Sequence, residues 1–199
     1  MNEHDKHLQA YVNDMYAVEK HTLEAVERQL ENKDVQKKHE AHQLIQRIQS
    51  TLQQHTDGLD QRLNSLGGRS TFKSAVASVT GAVAGVYGQV RTETVSSMLR
   101  DDYVALSMVA VAYTMLHTTA LALRDQMTAN MALQNLKHVT PLITDISKVI
   151  PILVAQDVHD DVETADVSVA QQAIRNTQEA WDTKNVNQMS SSNTYAIAN

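Results

Sequence analysis

The sequence predicts an all-α protein: an antiparallel four-helix bundle with a long helical crossover between helices 2 and 3. Three observations predict it. Apolar residues recur at spacings of three and four through most of the first 158 positions, the period of one helix face. Only 2 Pro and 6 Gly occur, whereas a sheet protein needs turn residues about every ten positions. The breaks that do occur are short, except for one longer uncharged stretch in the middle, so the helices come as two hairpins.

The first helix is expected over residues 4–31, where Leu8, Val12, Met15, Glu19, Leu23, Val26 and Leu30 form one stripe. Asn32-Lys33-Asp34 breaks it, with Asp34 as the expected N-cap of the next helix, its carboxylate accepting a free backbone N–H. That second helix covers 35–66 and lines up Ala41, Ile45, Ile48, Leu52, His55, Leu59, Leu63 and Leu66. Gly67-Gly68 ends it, because glycine accepts the left-handed conformation found at helix C-termini. Residues 71–90 are rich in small residues, with no charge from Ala75 to Gly88, and read as a short helix within the crossover. The third long helix spans 93–125 and the fourth about 129–156, with Leu136, Val139, Ile143, Ile146, Ile150 and Leu153 facing inward. Pro141 and Pro151 lie inside the fourth, so kinks or a break are expected there. A polar extension follows over 159–199. It holds a weaker helix at 161–182, with Val167, Ala170, Ile174 and Trp181 on one face, and a disordered end around 190–194.

Composition removes several function classes. A net charge of −6 argues against a nucleic-acid binder, which shows a basic face. With no Cys there is no disulfide framework, thiolate metal site or cysteine nucleophile. The N-terminus carries no basic segment followed by an apolar run, so a cytoplasmic location is expected. No phosphate loop, nucleotide fingerprint or nucleophile motif is present, and no cofactor is expected.

Asp14-Met15-Tyr16-Ala17-Val18-Glu19-Lys20 resembles the first-helix motif of the YciE/YciF-type ferritin-like family. Leu66-Gly67 and the Arg100-Asp101-Asp102 entry into the third helix are similar as well, and the resemblance covers roughly residues 8–155. It implies a ferritin-like bundle, dimeric and associated with stress responses, in which carboxylates and histidines from all four helices can hold two metal ions. Such sites draw a Glu from each of two helices and a Glu-x-x-His pair from each of the others. Glu19 and His55 fit inward positions, but Ser50, Thr51, Leu52 and Gln53 supply no carboxylate before His55. Val109 stands where the third helix would carry its Glu. The fourth offers Leu136, Lys137, His138, Val139 and Thr140, and Asp145 lies off its inward stripe.

A hairpin centred near Lys33 sets Glu19 level with Arg47, its expected ion-pair partner. His55 then stands eight residues of helix rise away, roughly 12 Å along the axis. The weak metal candidates Glu19, His55 and His117 therefore read as core polar residues. His39 and His42, at i and i+3, lack the i, i+4 spacing of a zincin pair. From Tyr103 to Leu123 no residue is charged, long enough to span a bilayer, yet a central bundle helix reads the same way. The expected function is that of a non-catalytic bundle acting as a homo-oligomer, dimer or larger, or through a protein partner. The alternatives are a metal-binding protein or oxidase with a rebuilt site, and a peripheral membrane protein.

Overall fold

The computed structural model describes residues 3–67 and 94–181. The expected crossover helix at 71–90 and the expected disordered end around 190–194 lie outside the described residues. The protein is all-helical: the described residues form α1 (Glu3–Leu30), α2 (Lys33–Lys37), α3 (His39–Ser65), α4 (Val95–Ala122), α5 (Gln126–Asp161) and α6 (Ala170–Trp181), with no strand. Two compact units divide the chain, Met1–Val149 and Ile150–Asn199, and the division falls within α5.

In the first unit most of the α1 and α3 stripes are buried as the periodicity requires. Leu30, Leu66 and the expected inward Leu136 and Ile143 of α5 are only half-buried, and Leu142 is buried instead. Leu8, Val12, Met15, Leu23 and Val26 of α1, and Ile45, Ile48, Leu52, Leu59 and Leu63 of α3, are almost wholly removed from water. Each such side chain contributes about 1.5–3 kcal/mol. Truncating one, as in Leu52→Ala, costs about 2–5 kcal/mol because the cavity only partly collapses. Leu99, Leu106, Val109 and Leu116 continue this core from α4, and Ala132, Val139 and Ile146 from α5.

Cross-helix bonds fix the directions. α1 and α3 form the expected antiparallel hairpin. Gln29 bonds Asp102, and Glu19 stands by Tyr113, so α4 runs antiparallel to α1. Arg62 bonds Thr128, His55 bonds His138 and Arg47 pairs with Asp145, so α5 runs antiparallel to α3. Tyr113 with Asn135 and His117 with Ala129 make α4 and α5 antiparallel too. It follows that α3 and α4 run parallel.

Three local expectations are corrected. The cap at the first break is Asn32, whose side chain accepts the Asp34 backbone N–H at 2.8 Å; Asp34 itself pairs with Lys37. Residues 33–37 form a separate short helix, α2, closed at Lys38, so the second long helix starts at His39. The fourth long helix runs unbroken from Gln126 to Asp161 through both prolines. Pro141 is exposed and Pro151 half-buried, so water can reach the carbonyls that each leaves without an amide partner. Gly67 does take the left-handed conformation, at φ 110°. Arg124 adopts the same region at φ 57° to close α4, with the Asp125 N–H reaching back to the Ala120 carbonyl.

Candidate functional site

The middle of the first unit holds a buried polar cluster. α1 places Glu19 between Met15 and Leu23 on its core stripe, and α3 places His55 between Leu52 and Leu59. Both are all but inaccessible, at 0% and 1% exposure. His55 Nδ1 and Glu19 Oε1 are 3.0 Å apart, a buried hydrogen bond. The edge of the Tyr113 ring meets the His55 ring, and Asn135 Nδ2 donates to the Tyr113 hydroxyl at 2.8 Å.

This overturns the expected register. Glu19 and His55 are partners rather than eight residues of helix rise apart, and Arg47 is bonded to Asp145 at 3.0 Å instead of Glu19. The reason is α2. Its extra helical turn moves the symmetry point of the hairpin from near 33 to 37, midway between positions 19 and 55.

Burial raises the Glu19 carboxyl above the ordinary carboxylate range, and the His55 bond opposes that only in part, with a smaller counter-influence from Tyr113. Burial, with the nearby Glu19 charge adding to it, pushes the Tyr113 phenol well above its usual value, so it keeps its proton. Glu19 Oε2 makes no hydrogen bond of acceptable geometry; the protonated Tyr113 hydroxyl is near enough to influence it.

His55 also reaches outward. Its Nε2 lies 3.2 Å from His138 Nδ1, within hydrogen-bond distance, and the two ring planes are inclined by 21°. Glu19, His55 and His138 thus form a continuous chain across α1, α3 and α5. His138 ends it at a cleft of about 370 Å³ lined by Arg47, Ser50, Thr51, Gln54, Lys137 and Pro141. His138, Tyr113 and Asn135 belong to the site but are not among the residues the sequence singled out for it.

His117 is engaged elsewhere, with its Nδ1 donating to the Ala129 carbonyl at 2.8 Å. Both nitrogens of His55 are taken by hydrogen bonds, which leaves no lone pair for an ion. Among the described residues no three His, Asp or Glu side chains converge on a metal position. Compared with protein-family models, curated proteins and solved structures, the chain finds no match.

Proposed function

We propose that the chain is a non-catalytic ferritin-like four-helix bundle that acts by self-association, or by holding a protein partner, across the outer face of α4. One observation carries this reading. Val104, Met108, Val111 and Met115 fall at spacings of four, three and four, a coiled-coil seam on the solvent side of a helix that is uncharged from Tyr103 to Leu123. Val104, Val111 and Met115 are 45%, 62% and 53% exposed. A contiguous apolar face of this kind marks an interaction surface. The charge-free stripe is self-complementary, which favours a second copy.

The ferritin-like reading is supported by the helix directions. Parallel α3 and α4 put Ser65 and Val95 at opposite ends of the four long helices, the arrangement a long crossover requires. A stress-associated role accompanies that reading through the YciE/YciF resemblance.

A second reading has its own support. Both α4 and α5 are long and apolar enough to cross a membrane, and only 33% and 22% of their most apolar windows are buried. Sedimentation equilibrium with vesicle flotation separates the two. A dimer or larger species is expected, converted to monomer with unchanged circular dichroism by the double variant Val111→Glu, Met115→Glu. A monomeric wild type that floats with vesicles would transfer the α4 face to a lipid partner.

A further inference from the structure

We infer that the α3–α5 cleft beside His138 binds a small molecule bearing a phosphate-type oxyanion, and that binding draws one proton into the chain of His138, His55 and Glu19.

The cleft is a cationic place on an acidic protein. Arg47 and Lys137 border it, no carboxylate is among its lining residues, and Arg47 is bonded to Asp145. No ion pair engages Lys137 among the described residues. Gln54 adds an amide donor, and Ser50 and Thr51 both donate to the Arg47 carbonyl. Guanidinium, ammonium and imidazole N–H donors converging on one space suit a multi-oxygen anion. The volume, about 370 Å³, is within the range of roughly 300–1,000 Å³ typical of small-molecule sites and exceeds what a bare ion fills. An ester is therefore favoured over the free ion.

The proton follows from hydrogen-bond valence. When Glu19 is ionised, His55 Nδ1–H donates to it. Neutral His55 must then accept at Nε2 from His138 Nδ1–H, and His138 turns an unprotonated Nε2 toward the cleft. That lone pair repels an anion. A proton added at His138 Nε2 releases the Nδ1 proton to His55 Nε2, and the His55 Nδ1 proton passes to Glu19 Oε1. Each imidazole that gains a proton on one nitrogen loses one from the other, and the single added positive charge ends by neutralising the buried carboxylate. His138 now offers an N–H donor to the anion. The groups facing this chain are Tyr113 from α4, which keeps its proton, Arg47 and Lys137 at the cleft, and Asp145 behind Arg47. Burial, which disfavours an ionised Glu19, assists the inward shift.

Calorimetric titration with sulfate, whose own charge is constant, and with glycerol phosphate tests this across roughly pH 5 to 8. Repeating it in buffers of different ionisation enthalpy counts the protons. Expected are saturable binding, proton uptake that rises toward one per anion as Glu19 ionises in the free protein, and affinity that falls as pH rises. Tighter binding of glycerol phosphate assigns an ester, and equal binding assigns the free ion. Lys137→Ala, an exposed change, should weaken binding at least tenfold. Glu19→Gln should move proton uptake to lower pH while circular dichroism is unchanged; should it not fold, His138→Gln, which removes the entry point of the proton, should abolish the uptake. Binding indifferent to Lys137→Ala, binding without proton uptake, or no binding at millimolar concentrations would mean an adventitious ion only, and would overturn the inference.

Discussion

Glu19 is where the physical chemistry of this chain is most exposed to experiment. Its carboxyl is raised by burial, so between the ordinary carboxylate value of 4.5 and its folded value the native state holds a proton that the unfolded state has lost. Stability then falls as pH rises through that window, because the slope follows the difference in bound protons. Asp14 is raised by burial as well and adds the same sign. Glu19→Gln, which cannot ionise, should flatten the decline without abolishing it. Urea midpoints measured across pH report this directly, and an unchanged slope would mean that the Glu19 charge is compensated in a way its contacts do not reveal. Glu19 and His55 were legible in the sequence because each interrupts an apolar stripe. Their meeting was not, since it depends on a five-residue helix too short to carry a period. His138 was illegible for another reason. It sits at the margin of its helix face, three positions after buried Asn135 and four before buried Leu142, and only the packed neighbour shows that its ring turns inward.

Among elements, the joint between the end of α3 and the start of α5 rests on Arg62. Its guanidinium, 10% exposed, donates to Thr128 Oγ1 at 2.7 Å, to Ser65 Oγ and to Asp125, whose other oxygen accepts the Thr128 backbone N–H at 2.8 Å. One side chain thus holds both the partner helix and its cap. Arg62→Ala strands a largely buried carboxylate and should cost about 2–3 kcal/mol, the range for bonds to charged groups. Arg62→Lys should recover only part, since an ammonium cannot hold the same fork of donors. Chemical denaturation of both variants checks the order, and equal stability of all three proteins would show that the clamp is solvated and nearly inert. The long helices of the first unit were readable from their stripes and from Gly67. The continuity of α5 was not, because a proline's penalty of about 3 kcal/mol is a local quantity. The packing of Ala132, Val139, Leu142 and Ile146 is not visible at that range.

For the whole molecule, burial is unevenly shared. Within the described part of the second unit only Leu153 and Ala170 are buried, whereas Val154, Val158, Val162, Val167, Val169 and Trp181 are 44–67% exposed. The segment between α5 and α6 is held by short-range bonds: the Val162 amide on the Val158 carbonyl, the Ala165 amide on the Val162 carbonyl, the His159 ring on the Ala165 carbonyl, the Ser168 amide on the Asp166 carboxylate and the Ala170 amide on the Val167 carbonyl. Opening there sacrifices almost no buried apolar area, so its free energy should be far below that of global unfolding. Cleavage of a transiently open segment tracks that local free energy when reclosing is fast. Among the described residues, thermolysin, which cuts before large apolar residues, should therefore nick first within Val162–Val169 and leave the long helices of the first unit resistant, followed by mass spectrometry. The self-association proposed for α4 makes a separate demand on the same digest. Val104, Val111 and Met115 are exposed in one copy, yet they sit on a helix whose backbone is fully bonded, so a dimer should protect them further while leaving the 162–169 cuts unchanged. A first cut inside α4 or α5 would place the weakest point within the packed helices, and would require their burial to count for less than the short-range hydrogen bonds of the linker.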